Sequence, residues 1–160
     1  MVQILEVPTG LIMRVHKPTI QVVIASSNEN NPFYAGADFP IEGVYCERVI
    51  DTGDTLLVPN ALKDPEWDHN PDLEFDQISY LGFPIVWPNG DPFGTLCVSD
   101  TKENNYSELF RQLMQVLREY IECTLTNLFQ ELQMQMLPDA LESACSVDEI
   151  KKAINNLAQS

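Results

Sequence analysis

Residues 78–100 read ISYLGFPIVWPNGDPFGTLCVSD, and this stretch decides the fold. Two apolar runs flank Asn89-Gly90, the strongest short-range signal for a hairpin, because Asn and Gly accept the positive φ that tight turns require. Taking alternate residues on the first run, Leu81, Phe83, Ile85 and Trp87 face one way and Ile78, Tyr80 and Val86 the other. On the second run Phe93 and Cys97 oppose Leu96 and Val98. Neither strand has a polar face. A pair that is apolar on both faces must be covered on both, which predicts a hairpin at the centre of a sheet between two layers.

The remaining composition fits that picture. The chain has 160 residues, enough for one domain with a sizeable core, with 44% hydrophobic and 21% charged residues. Its 24 acidic against 9 basic residues give a formal charge of −15. Nucleic acid and anionic membrane surfaces require a basic footprint, so neither is an expected partner. No run approaches the roughly 20 apolar residues that span a bilayer, and the first residues lack the basic start of a signal peptide. Cys46, Cys97, Cys123 and Cys145 form no C-x-x-C pair, which predicts a reducing, cytoplasmic setting, with Cys97 as core packing.

Working outward from the hairpin, Leu11–His16 and the β-branched Thr19–Ser26 read as two strands joined at Lys17-Pro18. Pro8-Thr9-Gly10 closes a short apolar segment at 1–7 that reads as the tail of a helix. Residues 27–40 form an Asn-, Pro- and Gly-rich loop with Phe33, Tyr34 and Phe39 as anchors. Ile41–Thr52 reads as a short helix burying Tyr45, Val49 and Thr52 beside Cys46 and Ile50, stopped by Gly53, and Thr55–Val58 as a short strand. The acidic Asn60–Gln77 segment, broken by two prolines, predicts short helical turns. From Ser107, a capping residue, a long helix begins. Leu109, Phe110, Leu113, Met114, Val116, Leu117, Tyr120 and Ile121 form a broad apolar face suited to a sheet. Past Cys123 the face narrows to Ile121, Leu125, Leu128, Leu132 and Met136, a seam of the kind that pairs helices, and Pro138 is expected to end the helix. Ser146–Ala158 reads as a last amphipathic helix with Ser146 and Glu149 at capping-box spacing. The order predicts an α+β fold, one antiparallel sheet with helices on both sides.

Three segments, GLIMRVH, YCERVIDTGDTLLVPNALKDPEW and ISYLGFPIVWPNGDPFGTLCVSD, make residues 10–129 resemble a GAF domain, of the version found in bacterial sensor histidine kinases and diguanylate cyclases. The resemblance implies a central antiparallel sheet with terminal helices on one face and a ligand pocket on the other, covered by short helices and loops. It implies a non-enzymatic small-molecule sensor in signal transduction, residues 1–137, followed by a helical extension, 138–160. The long helix would then join two copies as a homodimer or relay to an output module. Against the family pattern the first helix reads as truncated, and the chain has no room for a catalytic output module.

Within such a pocket Tyr45, Trp67 and Tyr80 are the candidate ligand-binding residues, each an apolar ring with one polar handle. No cofactor is indicated. The chain has no Cys-His pair of the bilin-binding members, and residues 101–106 (TKENNY) lack the cyclic-nucleotide signature. Cys97 shows no sequence partner for the thiol chemistry of the free methionine-R-sulfoxide reductases, which leaves that activity the least favoured reading. Asp64, Glu66 and Asp68 alternate like the start of a calcium loop, but His69 and Phe75 occupy its Gly and Glu positions, so these charges read as solvated surface. His16 and His69 read as surface or structural. The remaining alternative is an interaction module whose pocket is filled by its own side chains.

Overall fold

The computed structural model describes residues 7–143, with side-chain environments for 7–136. The expected N-terminal helix tail and the expected helix at Ser146–Ala158 lie outside this range, apart from Val7. Contacts divide the chain into two units, Met1–Cys123 and Thr124–Ser160.

The first unit is built on six strands, β1 (Thr9–His16), β2 (Thr19–Ala25), β3 (Asp38–Pro40), β4 (Leu56–Val58), β5 (Ser79–Val86) and β6 (Pro92–Asp100). They form one sheet in the order β3-β2-β1-β6-β5-β4, with every neighbouring pair antiparallel. The quoted hairpin is β5–β6. Both strands are interior, and all of their residues are buried except Val86 and Pro92 at the tip. The two-faced apolar pattern therefore means what it predicts. The turn differs in detail: Gly90 N–H donates to Trp87 O and Trp87 N–H to Asp91 O, both at 2.8 Å, closing a three-residue loop of Pro88, Asn89 and Gly90. Only Gly90 takes the left-handed conformation, with φ 90°. Pro88 fixes its own φ near about −65°, which suits a type I turn ending in a left-handed glycine and leaves Asn89 at negative φ.

Strand boundaries shift by a residue or two elsewhere. Thr9 and Gly10 belong to β1 rather than to a turn, because β6 extends far enough to pair them with Ser99 and Val98. The loop before α1 contributes β3, which pairs with β2. Helix α1 is Tyr45–Thr52, shorter than the expected Ile41–Thr52, and ends at Gly53 as its sequence suggests. It buries Tyr45, Cys46 and Val49, whereas Thr52 is exposed and turns its Oγ1 back to donate to Arg48 O at 2.8 Å. In the loop, Phe33 and Phe39 meet Phe75 in a three-ring cluster with centroids 5.1–5.8 Å apart. Tyr34 is 70% exposed and anchors nothing there. The acidic segment forms 3-10 turns at Ala61–Lys63 and Pro71–Phe75.

Helix α2 (Glu108–Ser143) starts beside Ser107, whose Oγ accepts from Phe110 N–H at 3.3 Å. Its broad apolar face divides. Phe110 and Met114 are buried, and Glu122 Oε1 accepts from Val86 N–H at 3.1 Å, tying the helix to the hairpin. Leu109, Leu113, Val116 and Tyr120 are exposed instead. At about 100° per residue the apolar arc is wider than one contact surface covers, so the row that steps along 109, 113, 116 and 120 is left out. The helix also runs through Pro138 to Ser143. Proline's fixed φ is itself helical, so the backbone continues at the loss of one amide hydrogen bond. The described part of the second unit is the continuation of this helix, with Leu128, Leu132 and Met136 exposed. No helix among the described residues is long and apolar enough to cross a membrane.

Candidate ligand-binding site

Sequence parity leaves open which sheet face meets a pocket; the register decides it. Leu11 of β1 pairs with Cys97, Met13 with Thr95, and Tyr80 of β5 with Ser99. These side chains share the face turned toward α1. A cavity of about 320 Å³ lies there, with Leu11, Met13, Ile20, Tyr80, Cys97 and Ser99 as its floor. The start of α1 supplies one wall with Val44, Tyr45 and Cys46, and Phe33, Phe39, Pro71, Asp72, Phe75 and Gln77 form the cover. The volume is at the small end of the range of roughly 300–1,000 Å³ usual for small-molecule sites.

Two of the three candidate aromatics line this cavity. Tyr45 and Tyr80 stack with centroids 4.7 Å apart and planes 23° from parallel. Tyr45 Oη donates to Gln77 O at 3.0 Å, which ties α1 to the cover. Trp67 does not reach the cavity. It packs against the ring of Tyr45 at 5.2 Å, and lines a separate groove with Arg48, whose guanidinium lies 5.4 Å over the indole. The cover over the cavity is therefore residues 71–77 together with the loop at 33–40, and the Trp67 turn supports α1 from behind.

Tyr80 lies as it does because of Gly82. A Cβ at Gly82 would sit 2.1 Å from Tyr80 Oη, so the phenol lies along its own strand over a residue without a side chain. That places Oη 3.3 Å from Cys46 Sγ. Thr95 Oγ1 donates to the same sulfur at 3.2 Å. Cys97, two residues from Thr95 on the same face of β6, lines the same cavity. Cys46 and Cys97 are brought together only because α1 packs its first turn on β6. A small residue on each of two elements carries no spacing signal.

Among the described residues, the charged groups at the cavity are all acidic. Glu42, Asp72 and Glu74 line it, and no Lys, Arg or His does. Asp72 is half-buried, and its Oδ2 accepts from Tyr45 N–H at 3.2 Å. The helix needs this, since Val44 at its N-cap offers no side-chain acceptor. Glu47 adds a second acceptor for Gly43 N–H at 2.7 Å, in the manner of a capping box. Burial raises the Asp72 carboxyl to about 6, partly offset by the Tyr45 hydrogen bond. Burial also holds the Tyr80 phenol well above its ordinary range, so it remains a neutral donor or acceptor. Asn70 buttresses the cover: its side chain donates to Gly43 O at 2.9 Å and accepts from Asp72 N–H at 2.7 Å.

The charges of the acidic segment are used locally. Asp64 Oδ1 accepts from Glu66 N–H at 3.0 Å, Glu66 pairs with Arg48, and Asp68 with His69. No group of three or more His, Cys, Asp or Glu side chains among the described residues could hold a metal ion.

The family model for the GAF domain matches residues 1–122. This chain belongs to the GAF domain family. Solved structures agree on the fold. The blue-light absorbing form of the Thermosynechococcus elongatus PixJ GAF domain superposes with a TM-score of 0.71 at 16% identity, over 86% of each chain. The GAF domain of a two-component sensor histidine kinase from Bacillus halodurans gives 0.63 at 16% identity, over 81% of this chain and 89% of that one. A type II free methionine-R-sulfoxide reductase from Thermoplasma acidophilum gives 0.58 at 9% identity, over 74% and 79%. A search of curated proteins gave no match. This GAF domain thus shares its scaffold with photoreceptor, kinase-sensor and enzyme domains, and its own cavity lining must carry any functional reading.

Proposed function

We propose that this GAF domain is a non-enzymatic sensor of a small, largely apolar molecule carrying an amine or another hydrogen-bond donor. The observation that carries the reading is the cavity lining: mostly aromatic and aliphatic walls, with Asp72 as the half-buried charged group beside the neutral Gln77 and Ser99, and no cation. An anionic ligand, such as a nucleotide phosphate or a carboxylate, would meet only like charge in a partly desolvated site. The open cavity also favours ligand sensing over a module packed with its own side chains. Ligand contact with Asp72 and Tyr45 would load the first turn of α1 and the 71–77 cover together, because both hold that turn.

The matching experiment is a thermal-shift comparison of phenethylamine with phenylacetate, extended to a library of small amines and acids. Amines are expected to raise the melting temperature, since a ligand specific for the folded state must do so. Asp72→Asn is expected to remove the effect. Better stabilisation by acids or phosphates than by amines, or by neither class, would overturn the reading.

We further propose that α2 passes the signal to a second copy. The exposed Leu109, Leu113 and Val116 step at intervals that suit helix pairing. The wild-type chain is then expected to sediment as a dimer and Leu113→Glu/Val116→Glu as a monomer. A monomeric wild type would rule this out.

A further inference from the structure

Tyr106, one residue ahead of Ser107 at the start of α2, has φ 46°. The left-handed region crowds a side chain's Cβ against the following carbonyl, so a tyrosine there is strained as a glycine is not. Such a conformation persists only where its surroundings over-determine it, and here they do. Tyr106 is 3% exposed; its Oη hydrogen-bonds with Ser79 Oγ at 3.2 Å, and its ring packs on Phe110 of α2 with centroids 5.4 Å apart. Its N–H donates to Asn104 Oδ1 at 2.8 Å, and its carbonyl accepts from Arg111 Nε at 2.8 Å. Asn104 N–H in turn donates to Pro59 O at 3.1 Å, which fastens the segment between β6 and α2 just past the end of β4.

The partner of the Tyr106 hydroxyl belongs to a strand that floors the cavity. Ser79 and Tyr80 are consecutive in β5, so their side chains leave opposite faces of the sheet. Tyr80 lines the cavity, whereas the fully buried Ser79 meets Tyr106 on the other side. A displacement of β5 by a molecule pressing on Tyr80 therefore carries the Ser79 hydroxyl with it. We propose that Tyr106 is a positioning residue that couples the cavity to α2: a strained peg, seated on Ser79, that fixes the start of α2 and releases it when the cavity face of β5 is displaced. Once the Ser79 contact is lost, relief of the positive φ favours withdrawal of the ring. The packing on Phe110 and the Arg111 bond, which hold the first turn of α2, go with it. The joint thus has two states, seated and released, and a ligand shifts such an equilibrium by favouring one of them. The purpose of the joint rests on the sensor reading; its mechanics require no ligand.

The test supplies the displacement by substitution. A Cβ at Gly82 would lie 2.1 Å from Tyr80 Oη, the far end of a side chain, so Gly82→Ala lifts the phenol while the strand stays paired. Tyr80→Leu, which takes the ring away, is the second displacement if Gly82→Ala folds poorly. Amide hydrogen exchange of the full chain reads residues 111–116 of α2, with residues 94–98 of β6 as the internal reference. Tyr106→Phe and Ser79→Ala are each expected to speed exchange at 111–116 about tenfold, the loss of one buried hydrogen bond, and to add nothing when combined. Gly82→Ala is expected to speed the same amides in the wild-type chain and to have no further effect in Tyr106→Phe. Unchanged exchange at 111–116 in Gly82→Ala and Tyr80→Leu, or equal acceleration with and without the Tyr106 hydroxyl, would overturn the proposal. Acceleration by Gly82→Ala in a chain that phenethylamine does not stabilise would remove the amine reading and leave the joint standing.

Discussion

Alanine at Gly94 is expected to lower stability by about 3 kcal/mol, or roughly 10 °C in melting temperature. Gly94 sits in β6 opposite Arg14 of β1, where a Cβ would lie 1.8 Å from the Met13 carbonyl oxygen and 2.9 Å from the Arg14 Cα. Both atoms are backbone, so no rotamer change relieves the clash. The strands would have to separate at the sheet's centre, next to the irregularity in β1 between Ile12 and Met13. Gly90→Ala is the control. Its Cβ would meet nothing within 4 Å, and only the strain of its positive φ remains, about 1–2 kcal/mol. Urea titration measures both. A Gly94→Ala variant no less stable than Gly90→Ala would show that β1 and β6 approach less closely than described.

The second large effect is a pH dependence from Asp72. Its folded value is raised to about 6 from a reference of 3.8, so the folded state holds this proton more tightly than the unfolded chain. The contribution to stability is therefore full at low pH and lost as pH rises from about 4 through 6. An asparagine side chain cannot ionise but keeps an oxygen for Tyr45 N–H, so Asp72→Asn should behave like the protonated form at every pH. Its stability relative to wild type is expected to improve by about 2 kcal/mol between about pH 4 and pH 7, after discounting for the solvent screening of a half-buried carboxylate. Urea titrations at the two pH values read this difference directly. A pH-independent difference, or one of opposite sign, would mean that Asp72 is not desolvated in the folded state.

How much of this was legible beforehand follows from the range of the interactions involved. The β5–β6 hairpin is written locally: two runs apolar on both faces point to an interior pair, and Asn89-Gly90 marks its turn, although the loop also takes in Pro88. The α1 stop at Gly53 and the α2 start at Ser107 are equally local, since caps act within a turn. The reach of α2 was less so. Pro138 reads as a terminator, yet the helix continues past it, and half of the apolar face expected on the sheet is exposed.

The site was legible only in part. Tyr45 and Tyr80 are large aromatics with polar ends and could be singled out as residue types. Trp67 fits the same description and lies behind Tyr45, because the turn that carries it packs on the far side of α1. Asp72 was one acid among 24; only its place at an uncapped helix start makes it the half-buried charged group of the cavity. Gly82 gave no sign of setting where Tyr80 points.

By itself, then, the sequence determined most of the described strands and helices, the central hairpin and the family, though not β3, because hydrophobic period, turn chemistry and capping act over a few residues. The tertiary structure decided which sheet face holds the cavity, that its charged groups are all acidic, and that Cys46 and Cys97 both line it. Those depend on strand register and on where α1 packs, and a one-residue slip in register would have turned every one of those side chains to the opposite face.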